Sequence, residues 1–419
     1  MCSDTNVVLI CIDCLRSDFV RDDHADTPFL NETRDRGTFF SNMHSTATTT
    51  TPCVASILTG NYSEGNGVNS HHNVKLDPEL DTLAESFGSE GYNTYAMVTG
   101  PIVEDTGLDR GFDRFWYRDR NRNLVNEWKR TAIQRLDRLS EPYFLYVHLW
   151  ELHGPIEVPE PYDTTKYGPL SAPHAQKYSR MLSALDRSLE AFCSALPENT
   201  AVAITGDHGE HLTGWERPFY NYIRYLRNHL RYDRRIDLRP IERAVNRLHE
   251  RVVRPQIPDH FLEAGHGHTV FDVETNVPLI LSSPESDGET VDTLVRQIDI
   301  FPTLLQLAGI SNPETSEGKP LLPSADIDDR NAYIRACGPP YVLGHSIMRA
   351  VRTRDYKYIE YPERDWSPDL YSLDDDPEEH RPAHDDETAS RLAEKMPEDE
   401  LRDREDLDVD DLLRDLGYL

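Results

Sequence analysis

VVLICIDC (residues 7–14) opens with six apolar residues, four of them β-branched, and closes on an acid and a cysteine. An apolar run without polar alternation suits a strand buried on both faces, and such strands belong to parallel sheets covered by helices. Asp13 then stands at the carboxyl end of the strand, the edge where open α/β sheets bind their ligands. Cys11 and Cys14 spell C-x-x-C, but positions three apart on a strand face opposite sides. The six cysteines (2, 11, 14, 53, 193 and 337) contain no second pair to complete a zinc site. Both are therefore read as small buried hydrophobes.

Similar runs recur at Tyr143–Leu149, Ala201–Thr205 and Val277–Leu281, with a shorter one at Thr94–Val98. Helical patterns separate them at Thr27–Asp35, Leu80–Glu90, Leu124–Leu139, Ala175–Leu196 and Val291–Ala308. This alternation predicts an α/β fold over residues 1–320, an α/β/α sandwich with a mostly parallel central sheet. After Gly318 the short pieces Tyr333–Ala336, Ile347–Val351 and Tyr356–Tyr361 predict a small C-terminal antiparallel sheet subdomain over 321–385. Residues 386–419 read as an acidic tail ending in an amphipathic helix, Asp406–Leu416.

One segment departs from the rest. Trp215–His260 holds eleven arginines, no lysine and six acids, with a helical spacing of Tyr, Leu and Ile. An Arg-rich helical insert over 215–260 is expected, either a lid over an anionic substrate or a hairpin bound through its arginines to the acidic body or to a second copy. Pairing with the body is expected for most of these arginines.

The chain has 419 residues, with 44 Lys+Arg against 74 Asp+Glu, and a formal charge of −30. That charge excludes nucleic acid as a partner, because a phosphate backbone needs a basic footprint. No stretch approaches the ~18 apolar residues of a membrane span. Val7–Ile12 is too short for a leader core and lacks a basic flank, so a cytoplasmic location is expected. The basic residues are 37 Arg and only seven Lys. An acidic, lysine-poor surface repels itself at low ionic strength and is relieved at ~1 M salt, where the Debye length is about 3 Å. A halophilic protein is expected.

Candidate site residues follow the strands. Asp13 follows the first, Asp207 and His208 follow Ala201–Thr205, His153 follows Tyr143–Leu149, and His266 and His268 precede Val277–Leu281. Two carboxylates and an imidazole on one sheet edge call for a divalent cation to balance their charge. Mixed oxygen and nitrogen donors favour Mn²⁺ or Zn²⁺ over Ca²⁺ or Mg²⁺. HSTATTTTPCVASILTG (44–60) supplies hydroxyls for a helix N-cap or, beside a metal, for a nucleophile. His148 lies inside a strand and is assigned a structural role.

Five segments together resemble the sulfatase family of the alkaline phosphatase superfamily: VVLICIDCLRSDF (7–19), TTPCVASILTG (50–60), AVAITGDHGE (201–210), RQIDIFPTLLQLAGI (296–310), and AVRTRDYKYIEY (350–361) with DLYSLDDDPEE (369–379). The resemblance spans about residues 5 to 380 and implies an alkaline-phosphatase-like sandwich. It places metal ligands at Asp13, Asp207, His208 and the Thr50 oxygen, and the nucleophile at Thr50. His153 and His266 would contact non-bridging oxygens or protonate the leaving group. Arg16, three residues after Asp13, would either touch the substrate or simply pair with an acid, and His268 is the weaker choice for substrate beside His266. One ion is expected rather than two, since a second would need a set such as Glu151, His153 and His266.

The sequence departs from the family pattern at three positions. Cys14 replaces the second aspartate, Val54 replaces the arginine after the nucleophile, and Thr50 occupies the position that sulfatases convert from cysteine or serine into formylglycine. Cys53 is the alternative nucleophile, without the proline and arginine of the pattern. Threonine at this position is similar to the metal-dependent phosphotransferases and phosphodiesterases of the superfamily, which include lipoteichoic acid synthases. The expected activity is hydrolysis or transfer of phosphate or sulfate esters, with phosphoester chemistry favoured. The expected substrate is an anionic small molecule, glycan or lipid-linked ester. A true sulfuric ester hydrolase and a non-catalytic relative are the alternatives, and homo-oligomerisation is left open.

Overall fold

The computed structural model describes residues 5–398, apart from 71–73, 103–105, 120–121, 169, 213–217, 285, 338–347 and 363. The terminal helix expected at Asp406–Leu416 lies outside the described residues, as do the start of the insert and the start of the strand expected at Ile347. In chain order the strands are β1 (Asn6–Ile12), β2 (Thr38–His44), β3 (Asn93–Val98), β4 (Arg114–Tyr117), β5 (Tyr143–Leu149), β6 (Thr200–Gly206), β7 (Asn276–Ser282), β8 (Glu289–Val291) and β9 (Val295–Arg296). All nine join one sheet ordered β4-β3-β5-β1-β6-β7-β2-β8, with β9 also on β2. β1 sits between β5 and β6, parallel to both, and every residue of it is buried.

Each face of β1 feeds a different core. Val7, Leu9 and Cys11 pack with the helices Thr50–Thr59, Leu83–Ser89 and Ile300–Leu307. Val8, Ile10, Ile12 and Cys14 pack with Pro28–Arg36, Trp128–Leu136 and Pro173–Cys193. The two cysteines do fall on opposite sides of the sheet, as strand geometry requires. Helices on both faces of a mostly parallel sheet make the α/β/α sandwich.

Two features of the sheet were not foreseen in the sequence, and one expectation needs correction. β2, TFFSNMH, lies inside the sheet, yet its mixed burial and a bulge between Phe40 and Met43 hide it from a search for apolar runs. β7 is antiparallel to both β6 and β2. The stretch expected as one helix, Val291–Ala308, instead holds the end of β8, all of β9, one 3₁₀ turn and a helix only from Ile300.

β10 (Ala332–Ala336), β11 (Met348–Arg352), β12 (Tyr356–Glu360) and β13 (Asp369–Ser372) form a second, wholly antiparallel sheet. Ile334, Ala350 and Ile359 fill one of its faces, and Val351, Tyr358 and Leu370 meet the helix Asp386–Ala393 on the other. The two sheets meet at the loop after β2. Ala47 pairs with Arg335 there, and the Arg335 backbone N–H donates to the Thr46 carbonyl at 3.0 Å.

Candidate active site

The reversed strand β7 explains why residues that precede it and residues that follow β1, β5 and β6 share one edge. In an all-parallel sheet His266 would lie at the far side. Backbone hydrogen bonds tie this edge together: Asp13 N–H to the Leu149 carbonyl (2.8 Å), Gly209 N–H to the Glu274 carbonyl (2.7 Å) and Ser45 N–H to the Thr275 carbonyl (2.8 Å).

Thr50 is the first residue of the buried helix Thr50–Thr59, which follows β2 after a short loop. Its Oγ1 donates to Asp13 Oδ2 at 3.0 Å and lies 3.3 Å from His208 Nε2. His208 Nδ1 lies 2.9 Å from the Gly209 carbonyl, which can only accept, so Nδ1 carries the proton and Nε2 keeps its lone pair towards Thr50. Asp207 Oδ1 accepts from the backbone N–H of Cys14 and of His208, at 3.1 and 2.7 Å. Asp13, Thr50, Asp207 and His208 thus converge, all fully buried.

The electrostatics of this group call for a cation. Burial, and then the Asp207 carboxylate, pushes Asp13 well above the usual carboxylate range. Burial also works against ionisation of Asp207, but His208, His148 and the His208 backbone N–H outweigh it and hold that carboxyl low. Asp207 Oδ2 is buried without a hydrogen-bond partner, and so are both ring nitrogens of His148. Orphaned buried acceptors of this kind are costly unless something else satisfies them. A divalent ion would let both aspartates ionise together. Ligand atoms of Asp13, His148 and Asp207 lie within 4.8 Å of one another. The donors fit the expected cation, and His148, at the penultimate position of β5, joins them.

A second cluster adjoins the first. Glu210 Oε2 lies 2.9 Å from His266 Nδ1 and accepts from Cys14 Sγ at 3.1 Å. The Glu210 carboxyl is held low; burial opposes this, and His266 leads the groups that overcome it. The His208 and His266 rings lie 4.3 Å apart, and the His153 ring lies 5.2 Å from that of His266. His153 stacks on Trp150, and burial, with His266, takes it down to about 3, so it is neutral at pH 7. Cys14 is therefore part of this cluster and more than a core filler. It adopts φ 61°, which turns its thiol towards Glu210. Glu210 was missed in the sequence, although it stands two residues after His208 in DHGE.

Other residues fall elsewhere. Arg16, open between substrate and an acid partner, takes the acid: it is 2% exposed and committed within the protein. Nε and Nη2 donate to Asp18, Nη2 also to the Pro258 carbonyl, and Nη1 to the Glu210 carbonyl. It clamps the loop behind the site. His268 feels chiefly Glu263 and Glu274, after burial, which takes it down to about 4. Glu151 is bound by Arg118 (2.9 and 3.1 Å) and the Leu124 backbone N–H (2.5 Å), so the set Glu151–His153–His266 for a second ion is not assembled. Cys53 donates to the Ala47 carbonyl at 3.1 Å, and burial followed by Asp207 raises its thiol well above the usual range. A thiol so held is a poor nucleophile.

The chain is similar to known proteins along most of its length. The family model described as "Sulfatase" matches residues 5–310, and "N-sulphoglucosamine sulphohydrolase, C-terminal" matches 267–406. Human arylsulfatase K is 25% identical over 399 residues, covering 84% of this chain and 73% of its own. The crystal structure of Ps i-CgsB in complex with k-i-k-neocarrahexaose superposes with TM-score 0.69 at 16% identity, covering 99% of this chain and 98% of that one. Phosphonate monoester hydrolase of Agrobacterium radiobacter gives 0.68 at 19% identity, covering 99% and 96%. With the family model matching most of the chain and the metal-type cluster at its expected edge, the protein belongs to the sulfatase family of the alkaline-phosphatase-like superfamily and is a hydrolase of ester bonds.

Proposed function

We propose that the protein hydrolyses or transfers anionic phosphoesters through Thr50, which forms a covalent ester during turnover. The observation that carries this is the placement of Thr50 Oγ1 at 3.0 Å from Asp13 and 3.3 Å from the lone pair of His208 Nε2. The same position cannot form the formylglycine aldehyde, and Cys53 is withdrawn from the site. Asp13, Asp207, His208 and Thr50, with His148, would hold one divalent ion, Mn²⁺ or Zn²⁺ by their donor types. Such an ion lowers the pKa of a coordinated hydroxyl and stabilises charge on phosphoryl or sulfuryl oxygens.

The chain's own residues divide the remaining work. Thr50 Oγ1 bonds to phosphorus as its proton passes to Asp13 Oδ2, which already accepts its hydrogen bond, and the bond from phosphorus to the ester oxygen breaks. His266, braced at Nδ1 by Glu210, delivers a proton to the departing oxygen. Neutral His153 commits its one N–H to the Gly154 carbonyl (Nδ1, 2.8 Å), so it shapes the wall beside His266 and has no proton to give the ester. Water or an acceptor alcohol then attacks phosphorus, gives its proton to His266 and releases Thr50, which recovers its own proton.

Sulfate esters are the second reading, favoured by the likeness to human arylsulfatase K over 84% of the chain. The same reading sets the enzyme in a high-salt cytoplasm, on the strength of 74 acids against 44 bases. The test is turnover of nitrophenyl phosphate, bis-nitrophenyl phosphate and nitrophenyl sulfate by Mn²⁺- or Zn²⁺-loaded enzyme. Thr50→Ala is expected to reduce phosphoester turnover at least ~10³-fold, while Cys53→Ala leaves it within about twofold. Sulfate turnover that survives in Thr50→Ala would overturn the assignment.

A further inference from the structure

The arginine-rich insert contains two helices, Pro218–Asn228 and Arg239–Val253. Its second helix is built inside out. Its buried residues are Arg239, Glu242 and Asn246, whereas Ile241, Leu248 and Val252 point to solvent at 63%, 62% and 71% exposure. An ordinary surface helix does the reverse. The polar side has partners within the insert and one in the body: Arg239 bonds Asp237 and, in the body, Asp369, Glu242 accepts from Arg231, and Asn246 meets His260. The first helix repeats the pattern, with Arg227 on Glu263 beneath and Tyr222, Tyr225 and Leu226 exposed. Of the nine large hydrophobic side chains exposed among the described residues, eight lie between Tyr222 and Val253. Ile241, Leu248 and Val252, seven and four residues apart, share one face of the second helix, and an exposed apolar face of this kind marks an interaction surface.

The charges around that face identify what covers it. Of the insert's acids whose side chains are described, Glu242 pairs with Arg231 and Asp259 with His211 in buried contacts, half-buried Glu250 meets His380, and exposed Asp237 pairs with Arg239. The arginines at 234, 235, 251 and 254 are exposed beside the apolar stripe. A symmetric contact with a second copy would set arginine against arginine. Among the described residues no helix is long and apolar enough to cross a membrane, and the second helix has only 15 residues. Arginines flanking an apolar helical face with tyrosines at its margin fit the headgroup level of a negatively charged bilayer.

We propose that the outward face of these two helices seats the protein on the surface of an anionic bilayer, with Tyr225, Leu248 and Val252 entering the headgroup boundary and the exposed arginines meeting lipid phosphates. The insert runs on directly into Pro258 and Asp259, which brace Arg16 and His211 behind the site. The seating itself holds for either ester chemistry at Thr50.

The test is flotation of the full chain with phosphatidylglycerol or phosphatidylcholine vesicles, at the lowest salt in which the protein shows a cooperative thermal transition. Binding to phosphatidylglycerol at least tenfold above phosphatidylcholine is expected. Leu248→Asp with Val252→Asp should lower it at least tenfold, with Tm and turnover of a soluble nitrophenyl ester unchanged. Arg251→Ser with Arg254→Ser should narrow the gap between the two lipids. Should the aspartate pair lower Tm, Leu248→Ser alone takes its place in the comparison. Three results would overturn the proposal: no flotation with phosphatidylglycerol, equal binding to both lipids, or a dimer in light scattering that the aspartate pair dissociates.

Discussion

Single residues distinguish this site from its family pattern, and Cys14 is the sharpest case. It stands where the pattern has an oxygen ligand, and its thiol lies 2.8 Å from Asp13 Oδ1. Losing a hard oxygen donor beside the ion should move metal preference from Ca²⁺ towards Mn²⁺ or Zn²⁺. Cys14→Asp is expected to reverse that order at least tenfold, measured as metal retained per chain after equilibration with a Ca²⁺/Mn²⁺/Zn²⁺ mixture. Asp13, Thr50, Asp207, His208 and His266 were legible because each abuts an apolar run or sits in a recognisable motif. His148 and Glu210 were not. One is hidden among apolar strand neighbours, and the other looks like any helix-starting acid until the fold brings His266 beside it. Arg16 was legible as a residue of interest, but only the structure shows Asp18 and two carbonyls occupying its donors.

At the scale of elements, the strands β1, β5 and β6 could be read because their apolar runs are broken by at most a single polar residue in mid-strand. β2 and the direction of β7 could not, since a bulge breaks the pattern of one and apolar runs carry no sign of polarity. The entry to β7 is held by a buried network in which His211 meets Asp259 at 2.5 Å and Glu274 at 2.9 Å. Burial works against its charge, but Asp259 foremost, then Glu274, raise His211 to about 10. The unfolded chain releases that proton near the ordinary value of 6.5. The network's contribution is therefore complete below about pH 6.5 and is lost as pH climbs towards 10. Tm should fall across that window, and His211→Gln should have a lower Tm at neutral pH with a flatter decline, read by calorimetry.

The whole molecule carries its −30 charge on a surface where lysine is scarce. Among the described residues, arginines form many of the ion pairs with that acidic body, Arg239 and Arg243 on Asp369 among them. Such pairs leave most of the acid excess unpaired, so self-repulsion opposes the compact state until salt screens it. Tm is expected to rise on the order of 10 °C between about 0.15 M and 2 M KCl. A flat or falling Tm in the same titration would place the protein among ordinary acidic ones. Charge could be read from composition alone; the inside-out helices that break the acidic surface needed the fold.

The tie between Arg335 and Thr46 has one more consequence. The loop that aims Thr50 is strapped from outside its own domain, and the Arg335 guanidinium is held by Glu64 in turn. The larger domain is therefore not a detachable module. A chain cut after residue 310 would keep both faces of its main sheet covered and still fold around β1, yet its nucleophile would swing on an unanchored hinge. Modular truncation or domain exchange should cost turnover well before it costs solubility.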